Sequence, residues 1–108
     1  MSLSTHVLDS ARGRPAAGVP VRLESRKQDG WVPVAEATTD DDGRVREFVT
    51  DGPPEGVHRL VFDTETYFAG TRAFYPEVVV TFQITDAAEH HHVPLLLSPF
   101  AYSTYRGS

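Results

Sequence analysis

The chain closes on a segment that reads His90-His91-His92-Val93-Pro94-Leu95-Leu96-Leu97-Ser98-Pro99-Phe100-Ala101-Tyr102-Ser103-Thr104-Tyr105-Arg106-Gly107-Ser108. Chain ends usually fray, because few contacts hold them. Between Val93 and Tyr105, however, this segment has no charged residue and is rich in apolar and β-prone side chains. The pattern predicts two terminal strands with a break at Ser98-Pro99, and it favours an end that is either buried or chemically active.

Short β-prone runs separated by turn signals occupy the rest of the chain. Gly43, after three aspartates, is predicted to turn the chain with a positive φ. Pro33 has no N–H to donate, so its strand is predicted at a sheet edge. Asp63 or Thr64 is expected to cap one short helix, which Gly70 would end. The predicted strands cover residues 4–9, 19–24, 31–38, 44–50, 57–62 and 78–84, with a loop over 12–18 and the helix over 65–69.

About eight short strands at regular spacing, with one short helix, predict an all-β fold: a two-sheet antiparallel β-sandwich. The length of 108 residues fits one domain, residues 1–108, and 40% hydrophobic residues are enough for a core. The sequence has no internal repeat and no low-complexity linker.

Strand parity predicts a second buried surface. Residues two apart in a strand share a face, so His6 lies with Leu8, and His92 with Pro94 and Leu96. The intervening residues of both strands are apolar as well. A sandwich has only one inner face per sheet, so we expect the other apolar face to form a subunit interface.

Composition excludes several function classes. The absence of cysteine excludes disulfides, thiol catalysis and cysteine–zinc sites. A formal charge of −5 at pH 7, without a basic block, argues against nucleic-acid binding. No apolar run approaches the roughly 18 residues of a membrane span, and no charged and apolar leader opens the chain, so the expected location is the cytoplasm.

The five histidines, His6, His58, His90, His91 and His92, are the first candidates for chemistry. A lone histidine is more often structural than catalytic, and we interpret His58 in that way. Adjacent residues of a strand point to opposite faces, so the three consecutive histidines cannot converge on one ion without a bend. No metal site is therefore predicted, although His6, His90 and His92 could share a face.

Other candidate residues have simple structural interpretations. Arg44 follows the turn, where an exposed ion pair with a neighbouring aspartate would contribute little to stability. Arg106 and Ser108 would ordinarily be solvated. The sequence contains no nucleophile elbow, phosphate loop or dinucleotide fingerprint. Residue patterns alone thus predict a β-sandwich with a histidine-rich interface.

Three motifs add a family resemblance. The first is Ser4-Thr5-His6-Val7-Leu8-Asp9 with Gly13-Arg14-Pro15-Ala16, the second is Thr39-Asp40-Asp41-Asp42-Gly43-Arg44, and the third is His92 to Pro99 with Tyr102 to Ser108. Together they resemble the 5-hydroxyisourate hydrolases, the transthyretin-like enzymes of urate breakdown, over nearly the whole chain. Transthyretin shares parts of the closing motif but lacks the histidines and the Tyr-Arg-Gly-Ser ending.

The resemblance implies a site and an assembly. Its catalytic residues fall on His6, Arg44, His92 and Ser108, and Tyr105, Arg106 and Gly107 complete the substrate pocket. Many family members have an aromatic residue at the position of His91, and the following Val-Pro pair identifies His92 as the catalytic histidine. The implied assembly is a homotetramer with active sites at the dimer–dimer interface.

The implied reaction is hydrolysis of 5-hydroxyisourate to 2-oxo-4-hydroxy-4-carboxy-5-ureidoimidazoline in urate catabolism. Its substrate is a planar oxidised purine, so the site needs an activated water and a group that stabilises an oxyanion. A histidine of pKa about 6.5 can act as the base near pH 7, and either His6 or His92 could supply it. Arg44 would stabilise the developing charge, and Ser108, through its hydroxyl and an expected terminal carboxylate, would position water or substrate. No metal or organic cofactor is expected.

Two other functions remain open from sequence alone. A non-catalytic transthyretin-like carrier of a small ligand would bind stoichiometrically without turnover, and it would leave the His6, Arg44 and His92 set without a purpose. A structural or adhesive sandwich domain would be a monomer without a pocket.

Overall fold

The computed structural model describes residues 2–108, which form two packed β-sheets and one short helix. The elements, in chain order, are β1 (Ser2–Asp9), β2 (Arg14–Pro15), β3 (Pro20–Lys27), β4 (Gly30–Thr38), β5 (Arg44–Val45), β6 (Gly56–Phe62), α1 (Thr64–Tyr67), β7 (Val78–Ile84), β8 (His90–Leu97) and β9 (Tyr102–Thr104). The predicted all-β sandwich with one short helix is confirmed.

One sheet has the order β2-β1-β8-β9, with β5 also pairing with β1, and the other has the order β4-β3-β6-β7. Strands β1 and β8 run parallel in continuous register from Ser2 opposite His90 to Asp9 opposite Leu97. All other strand pairs are antiparallel. The β4 strand, which contains Pro33, lies at a sheet edge as predicted.

The core fills the space between the sheets with alternate residues of each strand, as the pleat requires. Its fully buried members are contributed by both sheets: Leu3, Val7, Leu23, Leu60, Phe62, Val78 and Leu95. The Thr5 hydroxyl is also buried and donates to the Val93 carbonyl at 2.6 Å, which ties β1 to β8 from the core side. The opposite face of β1 and β8 therefore points out of the sandwich.

The local predictions differ from the structure at several points. Only Arg44–Val45 of the strand expected over 44–50 is extended and paired, because β5 meets only two residues of β1. The loop expected over 12–18 contains the short strand β2. The helix is shorter than predicted; Asp63 caps it by accepting a hydrogen bond from the Thr66 N–H.

The turn and terminal predictions agree with the structure. Gly43 has a φ of +75°, and the chain breaks between β8 and β9 at the predicted Ser98, whose N–H donates to the Ala101 carbonyl. His58 is a buried structural histidine, as interpreted: its Nε2 donates to the Pro54 carbonyl and its Nδ1 lies 2.7 Å from the Ser25 hydroxyl. Within residues 2–108, no helix has the length and apolarity needed to cross a membrane.

Candidate active site

Four neighbouring backbone segments bring the predicted site residues together on the outer face of one sheet. Arg44 of β5 pairs with His6 of β1, and Ser4 of β1 pairs with His92 of β8. On the other side of His92, an isolated bridge joins it to Gly107. Because directly paired residues share a face, the side chains of Arg44, His6, Ser4 and His92 all lie on the same side of the sheet.

This face carries an open cleft of about 300 Å³. The lining residues come from both ends of the sequence and from residues 40–46, called the β5 turn below because they comprise the turn before β5, β5 itself and the next residue: Ser4, Thr5, Arg44, Val45, Arg46, His90, His92 and Ser108. The volume lies at the lower end of the roughly 300–1,000 Å³ typical of small-ligand sites. The cleft thus combines imidazole and guanidinium groups in a space suited to a small, planar polar molecule.

His92 has the environment of a neutral histidine. Burial lowers its pKa below the ordinary value of 6.5, and electrostatic interaction with His90, Arg44 and His6 lowers the pKa further. Strand pairing places the predicted triad of His6, Arg44 and His92 on one face, since Arg44 pairs with His6 and the next outward residue of β1, Ser4, pairs with His92. The His92 Nδ1 lies 2.8 Å from the Ser4 hydroxyl, so Nε2 is the ring nitrogen that Ser4 leaves available to a ligand.

His6 and Arg44 are held by the β5 turn. The His6 Nε2 donates to the main-chain carbonyl of Asp42 at 2.9 Å, which assigns the proton of a neutral ring to Nε2. The Asp40 carboxylate accepts hydrogen bonds from the main-chain N–H groups of Asp42 and Arg44. The hydrogen bond from Arg44 is the main reason that the pKa of Asp40 is lowered.

The ion pair considered for Arg44 is not formed. Asp42 lies 3.8 Å from Arg46 instead, and none of the ion pairs among residues 2–108 includes Arg44. Arg44 lines the cleft, so it can offer a guanidinium group to an anionic or carbonyl oxygen there.

The final residues divide between two sites. Ser108 lines the cleft, and the Gly107 N–H donates to the His92 carbonyl at 2.8 Å. Tyr105 and Arg106 instead line an adjacent groove of about 350 Å³ that shares His92 with the cleft. Arg106 also lies 3.6 Å from Glu89, with both side chains mostly exposed.

Gly107 approaches His92 too closely for any other residue. A Cβ atom at this position would lie 2.5 Å from the His92 Cδ2 and 3.2 Å from the Pro94 Cγ. These distances are shorter than normal van der Waals contact, so glycine lets the terminal segment pack against the imidazole. The same contact covers Pro94, which is buried although it lies on the outer face.

Sequence reasoning missed a polar chain beside the cleft. The Ser4 hydroxyl lies between the two rings, 2.8 Å from His92 Nδ1 and 3.2 Å from His90 Nε2. The Ser2 hydroxyl hydrogen-bonds to His90 Nδ1, and the His90 and His92 rings are stacked with centroids 6.2 Å apart. Strand parity could have predicted that Ser4 shares a face with His6. It could not have predicted that Ser4 lies opposite His92, because that depends on the β1–β8 register.

His91 lies on the other face and has a different environment. It is 7% exposed, and burial followed by the charge of Arg106 lowers its pKa. His91 thus points to the opposite face of β8 from His90 and His92, as expected for consecutive strand residues. No group of three or more His, Cys, Asp or Glu side chains within residues 2–108 is arranged to hold a metal ion.

A two-sheet β-sandwich with one short helix and an imidazole–guanidinium cleft on an outer sheet face defines a transthyretin-like protein. The chain belongs to the HIUase/Transthyretin family, whose model matches residues 3–107. The family resemblance inferred from the three motifs is therefore confirmed.

Individual relatives agree with this assignment. The 5-hydroxyisourate hydrolase of Salmonella typhimurium is 45% identical, with 98% of this chain and 80% of that protein covered. The structure of Klebsiella pneumoniae 5-hydroxyisourate hydrolase has a TM-score of 0.88 and 35% identity over the full length of both chains. Sea bream transthyretin in complex with thyroxine has a TM-score of 0.91 and 31% identity, covering 99% of this chain and 95% of that one. The backbone is thus similar both to that of a 5-hydroxyisourate hydrolase and to that of a thyroxine-bound transthyretin.

Proposed function

We propose that this protein is an enzyme that hydrolyses 5-hydroxyisourate to 2-oxo-4-hydroxy-4-carboxy-5-ureidoimidazoline in urate catabolism. One observation carries the proposal: Arg44, His92 and Ser108 line a single cleft, with His6 paired to Arg44 at its side. Relatives named 5-hydroxyisourate hydrolase, at 45% identity over nearly the whole chain, support the same reaction.

His92 is the proposed general base. Its lowered pKa keeps the imidazole neutral at pH 7, and its Nε2 is not the nitrogen engaged by Ser4. A water molecule loses a proton to Nε2 while its oxygen attacks a ring carbonyl of the substrate. Cleavage of the ring C–N bond then returns this proton to the leaving nitrogen, so the histidine is regenerated.

Arg44 is the proposed electrostatic catalyst. Attack of water on the carbonyl places negative charge on its oxygen, and a planar guanidinium group offers paired N–H donors to such an oxygen. The β5 turn holds the Arg44 backbone through the Asp40 carboxylate, so the arginine is positioned before substrate binds. No metal or organic cofactor is needed for these steps.

The remaining site residues are proposed to bind and orient the substrate. His6 keeps its Nε2 on the Asp42 carbonyl, so its Nδ1 is the acceptor available to a substrate N–H. Ser108 lines the cleft, and its hydroxyl group is proposed to hydrogen-bond to the substrate. Gly107 packs against His92, and Tyr105 and Arg106 border the same histidine from the adjacent groove.

The proposed assembly is a homotetramer with active sites at the dimer–dimer interface. The cleft opens on an outer sheet face on which Leu8 and Leu96 are only half-buried. A second copy packed on this face would cover Leu8 and Leu96 and close the cleft. The cytoplasmic location expected from the sequence stays a prediction.

The test generates 5-hydroxyisourate in a cuvette with uricase and follows its ultraviolet absorbance. We expect catalytic amounts of this protein to accelerate the decay beyond the spontaneous rate over many turnovers. The similarity to thyroxine-bound sea bream transthyretin supports one alternative, a small-ligand carrier. Stoichiometric ligand binding with an unchanged decay rate would favour that carrier.

A further inference from the structure

The side chains of Ser2, His90, Ser4 and His92 form a hydrogen-bonded chain, and the role inferred for it below rests on the proposed hydrolase function. Ser4 lies at its centre, with 9% of its surface exposed. Its oxygen is within hydrogen-bonding distance of His90 Nε2 and His92 Nδ1. A hydroxyl group has one proton and can accept others, so Ser4 can donate to only one of the two rings at a time.

This restriction allows two complete hydrogen-bonding arrangements. In the first, His92 Nδ1–H donates to Ser4, Ser4 donates to His90 Nε2, and His90 Nδ1–H donates to Ser2. The second arrangement reverses the two bonds at Ser4: His90 Nε2–H donates to Ser4, and Ser4 donates to His92 Nδ1. Only the first leaves a free electron pair on His92 Nε2, which a general base requires.

We propose that Ser4 is a positioning residue that sets the tautomer of His92 and relays its proton to His90. After His92 Nε2 takes a proton from water, Nδ1 passes its own proton to the Ser4 oxygen. Ser4 passes its hydroxyl proton to His90 Nε2. His92 is then neutral with its proton on Nε2, His90 is an imidazolium, and every hydrogen bond at Ser4 has changed direction without being lost.

The relay moves positive charge away from the guanidinium group of the cleft. Burial of His92 and its neighbours His90, Arg44 and His6 lower its pKa, so an imidazolium at this position is disfavoured. His90 is more exposed than His92, and the Ser2 hydroxyl can accept its Nδ1–H. Solvent can therefore stabilise the charge on His90 better than on His92. Return of the protons along the same path supplies the leaving nitrogen.

The experiment compares Ser4→Ala with Ser4→Thr, which keeps a hydroxyl group, and with Ser10→Ala. Ser10 is a matched control because its hydroxyl donates to the Leu97 carbonyl just after β1 and not to a histidine. For Ser4→Ala we expect kcat to fall roughly tenfold or more, with little change in KM, as for loss of a group that assists proton transfer. Ser4→Thr should recover most of kcat, and Ser10→Ala should keep it.

A second readout does not depend on turnover. Long-range ¹H–¹⁵N NMR spectra of the ligand-free protein report which imidazole nitrogens carry protons. In the wild type, His92 should carry its proton on Nδ1, and Ser4→Ala should shift the proton towards Nε2. Unchanged His92 tautomers in Ser4→Ala, or a kcat loss that threonine does not recover, would overturn the relay.

The proposed hydrolase function and the proposed role of Ser4 can be contradicted independently of each other. If the wild type does not hydrolyse 5-hydroxyisourate, the proposed function fails, while the NMR spectra still test the tautomer assignment. If Ser4→Ala does not fold, the wild-type spectra alone decide, because a wild-type His92 protonated on Nε2 contradicts the first arrangement.

Discussion

His92 is the residue on which most of the proposed chemistry depends. It contacts Ser4 through Nδ1 and Gly107 through its ring edge, and it borders both the cleft and the adjacent groove. Replacement with asparagine keeps a polar side chain near Ser4 but removes the basic nitrogen. For His92→Asn we expect turnover to fall roughly 10²–10⁴-fold, the usual loss for a general base. Circular dichroism and thermal unfolding should show a folded protein, and an activity like that of the wild type would remove His92 from the mechanism.

The pH dependence of turnover follows from the direction of the His92 pKa shift. Burial and neighbouring positive charge lower this pKa below 6.5, and the base is active when neutral. We expect kcat/KM to be constant near pH 7 and above and to decrease as the pH falls through the lowered pKa. Measurements across pH 5–8 at constant ionic strength test this, and a flat profile would argue against an imidazole base.

The stability of the folded protein, like its activity, should decrease as the pH falls. His91 and His92 both have lower pKa values in the folded protein than the ordinary 6.5. The unfolded chain therefore binds more protons once the pH falls below about 6.5, so acidification through this range favours unfolding. The activity profile must accordingly be recorded at temperatures where the protein stays folded throughout the pH range.

Gly107 offers a test of the contact between the terminal segment and His92, the proposed base. In Gly107→Ala the new methyl group would overlap the His92 ring, so the ring or the terminal segment must move. We expect roughly a 10²-fold loss of kcat/KM, because small displacements of catalytic groups have effects of this size. Gly30→Ala is the control, since a Cβ at Gly30 meets no atom within 4 Å. Equal activity of the two variants would contradict the close packing.

The β5 turn positions Arg44, and Gly43 is the residue on which its shape depends. A Cβ at Gly43 would lie 2.3 Å from the Val7 carbonyl oxygen, whereas at Gly13, with a similar φ of +69°, it meets nothing within 4 Å. Alanine at either position has the left-handed backbone cost of about 1–2 kcal/mol. Gly43→Ala should lose a further amount of about 1–3 kcal/mol by overpacking. Urea unfolding of both variants measures the difference, and equal losses would show that the turn can relax.

Local patterns predicted most elements, because strands β3, β4, β6, β7 and β8 and the helix cap depend on alternation and on nearby turn residues. Where pairing depends on distant residues, the sequence was less informative. The segment from Arg46 onward looks like a strand, yet β5 ends at Val45 because β1 offers pairing only to Arg44 and Val45. The parallel β1–β8 register has no local signal, and neither does the position of Ser4 opposite His92. The family motifs predicted the histidines and Arg44 as site residues but gave no sign of the hydroxyl group between the His90 and His92 rings.

The proposed assembly depends on the outer face of the sheet that contains β1 and β8. Parity correctly predicted apolar residues on the outer face, but the terminal segment covers part of that face, since Pro94 is buried against Gly107. Leu8 and Leu96 remain half-buried and are the residues left for contact with a second copy.

We expect multi-angle light scattering to give the mass of four 11.9 kDa chains. Leu96→Arg should dissociate the tetramer, because it would bury an unpaired charge at the proposed interface. Val32→Arg, on the edge strand β4 of the other sheet, is the control, since Val32 is already 45% exposed. A monomeric wild type, or a tetramer that tolerates Leu96→Arg, would contradict this interface.

The parallel pairing of β1 with β8 also affects how the protein is made. A ribosome synthesises β1 first, and its neighbours β5 and β2 can cover one edge of it early, but the other edge has no partner until residues 90–97 have emerged. An uncovered edge strand is a site at which nascent chains associate wrongly. Catalytic competence should therefore arise only once β8 has docked beside β1 and has brought His92 to Ser4.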